Sequence, residues 1–245
     1  MKINKSEIPL RISKFLKKNN IGFNKIEPLE NDASKRVYYR VLNKKKNTIV
    51  MDSSAEKKSV SNFIFISDWL KKKNFSVPEI LFYDLHSGIL HIEDFGITKF
   101  SKIFLNNRNN KLYYYKYAIR LLIRLSEIQP PKGINYYNER NLFKELDLFL
   151  EWNLKINFSK NKKKVIEWNN LWKNLFKGIK YNKNCLVLRD FHIDNIFYLE
   201  KRYKLKKIGL IDYQDALIGH ASYDLVSLLQ DVRVDISVKD QKILF

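Results

Sequence analysis

The sequence predicts an α+β chain: an antiparallel sheet with one main helix over residues 1–95, then a mostly helical part over 96–245 that carries a β-hairpin. Three observations predict it. A chain of 245 residues can bury a real core and build either one large domain or two lobes. Short β-prone runs occupy the first part, and beyond Gly96 the apolar residues take up helical spacing. Late in the chain, residues 196–200 and 206–211 read as two strands joined by a charged turn around 201–204, which makes antiparallel pairing the natural reading.

The elements follow in order. Residues 6–19 space Ile8, Leu10, Ile12, Phe15 and Leu16 for a short packing helix with Pro9 in its first turn. A polar loop from Pro28 feeds a strand ending near Arg40, which turns at 44–47 and returns as 48–52. Residues 56–74 form the main helix of this lobe, with Val60, Phe63, Ile64, Trp69 and Leu70 as its apolar stripe and Glu56 in its first turn, where a carboxylate suits the helix dipole better than the alternative of pairing with an arginine on the sheet. Strands 79–83 and 89–93 flank a turn containing His86, Ser87 and Gly88.

The helical lobe comes next. Helix 111–129 carries Tyr114, Ala118, Leu121, Leu122 and Leu125 and stops before Pro130-Pro131. Helices 139–157 and 162–180 follow, their aromatic residues read first as core stripes. A buried strand over 185–188 leads into the hairpin. Beyond it Gly219 and His220 are expected in a loop and Ser222 as the cap of a helix running to about Val232, with Asp224 a structural carboxylate in its first turn.

Composition narrows the function classes. The single Cys185 excludes an intramolecular disulfide and suits a reducing compartment. No apolar run approaches the roughly 18–20 residues of a membrane span, and the N-terminus lacks a signal-peptide core, so a cytoplasmic protein without a membrane partner is expected. The formal net charge of +20 suggests nucleic acid. The lysines, however, are scattered in short runs at predicted turns and helix ends beside equally abundant Asn and Ile, the bias of an AT-rich genome. Solvated surface is the better reading, and nucleic-acid binding ranks last.

The stretch with most chemistry is 185–215. Asn195 precedes the first hairpin strand and Asp212 follows the second, at positions symmetric about the turn, so pairing brings both to one open end. An amide oxygen and a carboxylate facing each other suit Mg²⁺, which takes one or two protein oxygens and completes its shell with phosphate and water. Asp190 lies five residues before Asn195, on the loop entering the hairpin.

This order, Asp-x-x-x-x-Asn, hairpin, Asp, is that of protein-kinase-like enzymes. The segment Arg189-Asp190-Phe191-His192-Ile193-Asp194-Asn195, with Gly209-Leu210-Ile211-Asp212-Tyr213-Gln214-Asp215-Ala216 and Tyr223-Asp224-Leu225-Val226-Ser227-Leu228-Leu229-Gln230-Asp231, resembles the aminoglycoside-phosphotransferase-like superfamily. Within it the chain is most similar, from about Pro28 onward, to the bacterial sugar kinases that phosphorylate N-acetylmuramate and N-acetylglucosamine at the anomeric hydroxyl. The resemblance implies a bilobal protein-kinase-like fold, ATP and Mg²⁺ as cofactors, Asp190 as the base for the acceptor hydroxyl, and Asn195 and Asp212 as metal ligands.

It also implies that the loop with Asn31, Ala33 and Ser34 covers the ATP phosphates, Asn31 standing where relatives carry glycine. The adenine would meet the main chain of a hinge at 92–95, including Glu93 and Phe95. Kinases usually hold the phosphates with a lysine on the returning strand, where this chain has Met51 followed by Asp52; Arg36 or Arg40 would supply that charge, unless both are surface arginines on an exposed strand face. Leu188 replaces the first histidine of the superfamily's His-x-Asp-x-His motif, His192 matches the second as a structural support, and Asp194 and Asp215 either approach the site or face solvent. Relatives continue with further C-terminal helices, so the acceptor pocket is expected to be incomplete or completed by another chain.

The resulting expectation is a small-molecule kinase for an amino sugar of cell-wall recycling. An aminoglycoside- or choline-type kinase and a nucleotide-binding pseudokinase are the alternatives. The oligomeric state stays open.

Overall fold

A computed structural model describes residues 8–29, 35–106, 110–155, 160–178 and 184–244. Asn31, Ala33 and Ser34 lie outside the described residues. The N-terminal part is a five-stranded antiparallel sheet of order β1-β2-β3-β5-β4, built from β1 (Lys25–Pro28), β2 (Val37–Leu42), β3 (Thr48–Asp52), β4 (Ile80–Asp84) and β5 (Ile89–Glu93). Alternation along the central strands separates two cores. Tyr39, Val41, Val50 and Ile89 pack on Ile12, Phe15 and Leu16 of helix α1 (Leu10–Lys18). Ile49, Met51, Leu90 and Ile92 pack on the other side with Val60, Phe63, Ile66 and Leu70 of helix α2 (Lys58–Lys72). Met51 is fully buried there, while its neighbour Asp52 points the opposite way and holds Arg11 of α1 at 2.6 Å.

Two differences from expectation arise in this part. β1 was not foreseen; it is a four-residue edge strand too short to show periodicity. The main helix begins at Lys58, so Glu56 precedes it, and its carboxylate lies 3.9 Å from Arg36 instead of serving the helix terminus.

The rest is mostly helical: α3 (Phe100–Asn106), α4 (Lys111–Ser126), α5 (Glu139–Leu148), α6 (Lys162–Gly178), α7 (Ser222–Leu229) and α8 (Val238–Leu244). α4 buries Tyr115, Ala118, Leu121, Leu122 and Leu125, nearly the stripe read from the sequence. α5 ends at Leu148 and widens into a π-helical turn at Phe149–Asn153, short of the expected 157. Neither α5 nor α6 has a buried residue, so their aromatic residues are not the core stripes expected. Instead they contact one another, as in Phe143 of α5 edge-on to Phe176 of α6 at 5.7 Å.

Two antiparallel ribbons carry the central chemistry. β6 (Asn184–Val187) pairs with β9 (Leu217–His220), which corrects the loop expected at Gly219 and His220. Ser222 is likewise no cap: α7 starts at it, the preceding position is Ala221, and the Ser222 hydroxyl lies 2.7 Å from His220 Nδ1. β7 (Ile196–Tyr198) pairs with β8 (Ile208–Leu210) in the register Ile196 to Leu210 and Tyr198 to Ile208. This is one residue off the predicted symmetry, because the connection 199–207, which contains a 3₁₀ turn at Lys204–Lys207, centres on residue 203. Asn195 therefore faces Ile211, whose N–H donates to its carbonyl at 3.2 Å, and Asp212 follows one step beyond.

Gly209 in β8 has a packing reason. A Cβ there would come within 2.8 Å of the Phe95 ring and 2.9 Å of Leu199. Gly209→Ala is expected to destabilise the protein by about 1–3 kcal/mol through overpacking, read from the midpoint of a urea titration. An unchanged midpoint would show that Phe95 can move away freely.

Candidate active site

The sheet and the helical part meet around a cleft of about 1080 Å³. Arg36, Tyr38, Glu93 and Phe95 line it from one side and Ile193, Asn195, Phe197 and Asp212 from the other. Five of the residues expected at the site, Arg36, Glu93, Phe95, Asn195 and Asp212, thus share one cavity.

Local backbone explains how the acids arrive. Arg189, immediately before Asp190, has φ +71°, and Asp212 has φ +60°. Left-handed geometry at two non-glycine residues costs on the order of 1–3 kcal/mol each and persists only where neighbours over-determine it. Asp224 of α7 does so for the first, accepting the N–H groups of Leu188 and Arg189 at 2.7 and 2.9 Å. For the second, Tyr213 is fully buried, its ring stacked on Phe63 at 4.9 Å and its hydroxyl 2.7 Å from Ser67 of α2.

Asp224 has a consequence that can be measured. Asparagine offers one acceptor oxygen for two buried donors and turns an NH₂ toward the other. Asp224→Asn is expected to cost about 1–3 kcal/mol, seen as a lower urea midpoint, and Asp224→Glu should not restore it. A midpoint equal to wild type would deny the latch.

Asn195 Nδ2 lies 3.1 Å from the Asp190 carbonyl, 3.2 Å from His192 Nε2 and 3.5 Å from Asp212 Oδ2. Those contacts turn the amide nitrogen inward, and among the described residues no donor satisfies Asn195 Oδ1. An unclaimed amide oxygen beside a carboxylate is a donor set that fits a hard divalent cation such as Mg²⁺. Among the described residues there is no group of three or more His, Cys, Asp or Glu that could cage a metal.

Arg36 is only 7% exposed and reaches across the cleft, so it is no surface arginine. Its guanidinium lies 3.1 Å from Asp212 and 3.2 Å from Asp215. Gln214 donates to the same two carboxylates at 2.8 and 3.0 Å. Arg40 instead ties Asp94 at 2.7 Å and the Gly96 carbonyl at 3.0 Å, bracing the segment between sheet and helices. Asp194 faces Arg233 at 3.0 Å.

Asp190 feels this cluster. Burial, then the charges of Asp212 and Asp215, push its carboxyl from an ordinary 3.8 up to about 6, against the pull of Arg189 and Arg36. Burial, helped by Arg233, lowers the His192 pKa and favours the neutral ring. The Leu188 side chain is buried in the core.

The side chains of Glu93 and Phe95 are engaged with neighbours at the cleft wall. Glu93 holds Arg202 at 3.0 Å, and Phe95 packs edge-on to Phe197 with the Arg202 guanidinium 5.1 Å from its ring. Sequence reasoning missed the Arg36 cluster's Gln214 and the network of Glu145, Tyr137 and Tyr223 beside Arg189; single polar residues on amphipathic helices leave no pattern to read.

Comparison with known proteins agrees with this geometry. The N-acetylmuramate/N-acetylglucosamine kinase of Caulobacter vibrioides is 25% identical over 260 residues, which covers 91% of this chain and 71% of that protein. The Pseudomonas aeruginosa protein of the same name is 26% identical over 209 residues, 84% of this chain and 60% of that one. The chain therefore spans between 60% and 71% of the length of these two relatives.

Among solved structures, a gentamicin complex of APH(2")-IIa superposes with a TM-score of 0.69 at 15% identity, covering 99% of this chain and 81% of that one. Choline kinase LicA from Streptococcus pneumoniae gives 0.66 at 15% identity, covering 96% and 78%. At such identities the likeness speaks for the kinase-like fold alone. The phosphotransferase enzyme family APH matches residues 25–242, nearly the whole chain, and to that family the chain belongs.

Proposed function

We propose that the chain transfers the γ-phosphoryl group of ATP to the anomeric hydroxyl of N-acetylmuramate or N-acetylglucosamine, in the cytoplasm and in the service of cell-wall recycling. The observation that carries the phosphotransfer reading is the convergence of Asn195 and Asp212 on a cleft that Arg36 enters from the opposite lobe. The names of the relatives support the acceptor.

Phosphoryl transfer asks a protein for positioning and charge neutralisation more than for covalent chemistry. In this reading the lobes divide near residues 95 and 96, and the main chain of 92–95 receives the adenine. The loop with Asn31, Ala33 and Ser34 covers the phosphates. Arg36 supplies the cation that Met51 cannot, because Met51 is buried in the core under α2. Asn195 and Asp212 would hold Mg²⁺, which when bound neutralises charge on the phosphates. Asp190 orients the acceptor hydroxyl and takes its proton as the oxygen bonds to phosphorus.

The test is ATP turnover with a panel of N-acetylmuramate, N-acetylglucosamine, choline and an aminoglycoside, with the product sugar analysed for phosphate at C1. Sugar-dependent ADP release supports the reading. Turnover only with choline or the aminoglycoside would replace the acceptor. Nucleotide binding with no turnover on any of them would leave a pseudokinase.

A further inference from the structure

Arg189 is held through its N–H, its carbonyl and the two terminal nitrogens of its guanidinium, and most of the restraint comes from outside the loop at Asp190. Its N–H is bound by Asp224 at 2.9 Å and its carbonyl accepts the Ser227 hydroxyl at 3.3 Å. Its guanidinium donates to Glu145 Oε1 at 2.9 Å and lies 3.5 Å from the Asp215 carbonyl. Glu145 is fixed in turn, since its second oxygen accepts the hydroxyls of Tyr137 and of Tyr223, the latter at 3.1 Å.

The network explains two otherwise unrelated facts. α5 has no buried residue, so no core packing fixes it, yet one of its carboxylates reaches the residue before Asp190. Arg189 keeps a left-handed φ of +71° that a side chain with Cβ does not adopt unaided. The segment at Tyr137 and α7 at Tyr223 therefore converge on the Glu145 carboxylate of α5, which in turn holds the Arg189 guanidinium. None of the three side chains lines the nucleotide cleft.

We infer that Glu145 is a positioning residue for phosphoryl transfer: through Arg189 it sets the direction in which Asp190 presents its carboxylate to the acceptor hydroxyl. This rests on the kinase reading above and assigns a function to α5 within it. Arginine is required at 189, because its planar fork can meet Glu145 and the Asp215 carbonyl together while a lysine ammonium is a single point.

A displacement of about 1 Å at a reacting group costs up to about 10²-fold. Glu145→Gln and Arg189→Lys are therefore expected to lower kcat by roughly 10- to 100-fold and to leave ATP affinity, measured by calorimetry, within about two-fold. Glu145→Gln keeps side-chain volume, and its thermal melt reports whether it folds.

The deciding measurement repeats Glu145→Gln in an Asp190→Asn background. If Glu145 acts through Asp190, it costs nothing more there. An unchanged kcat for Glu145→Gln, or an equal further loss without Asp190, overturns the inference while leaving the kinase intact. Absence of acceptor-dependent turnover in the wild-type chain would overturn both.

Discussion

Asp212→Asn is expected to remove acceptor phosphorylation by at least about 10²-fold, the scale of one lost electrostatic stabiliser in a preorganised site. The interest lies in the sign of a competing effect. Asp212 is the charge that raises the Asp190 carboxyl most, so neutralising it lets Asp190 ionise more readily. If Asp212 only tuned its neighbour, the variant would keep turnover at neutral pH and extend it to lower pH. If it holds a cation against the phosphates, turnover falls at every pH and no longer rises toward saturation with added Mg²⁺. Acceptor-dependent ADP release, followed across pH and Mg²⁺ concentration, separates these. Retained turnover with an acid limb displaced downward would refute the metal role.

The same carboxylate shows why the site was partly legible from sequence. Asn195 and Asp212 lie within one supersecondary unit, where local pairing rules apply, and the hairpin prediction brought them together despite a register error of one residue. The error came from the connection 199–207 with its 3₁₀ turn at Lys204–Lys207, whose charged residues carry no period. β5, bounded by a turn and strongly apolar, was readable residue for residue, and α4 nearly so. β9 was not, because Leu217–His220 pairs with a strand about thirty residues earlier, and non-local pairing leaves no local mark.

Arg36 shows the remaining limit. Its sequence context admits an exposed strand arginine as readily as a phosphate ligand. What sets it apart from an exposed arginine is a bond to Asp212, 176 positions away. Glu145 is harder still, an ordinary acid on an amphipathic helix until Arg189 is brought to it. Binding-site charge that crosses lobes becomes visible only once the lobes are assembled.

Asp190 joins activity and stability through one proton, and Asp190→Asn is expected to move them in opposite directions. As a base it must be ionised, so acceptor phosphorylation should fall with a one-proton limb as pH drops through about 6. Cation binding at Asn195 and Asp212 offsets the Asp212 charge and should draw that limb lower at saturating Mg²⁺. The linkage to stability has the reverse sense. A carboxyl raised from 3.8 to about 6 favours the folded state while protonated, a contribution present below the unfolded value and lost as pH rises through about 6. Asparagine is neutral at every pH and escapes that loss. The variant should therefore lose about 10²- to 10⁴-fold in kcat, melt no higher than wild type near pH 4, and melt above it at pH 7 to 8. A thermal scan at both pH values beside the rate measurement decides the matter: a variant that loses activity without gaining relative stability above pH 6 would mean that Asp190 carries no electrostatic strain, and that the acids at 190, 212 and 215 are relieved by Arg36 more completely than their spacing implies.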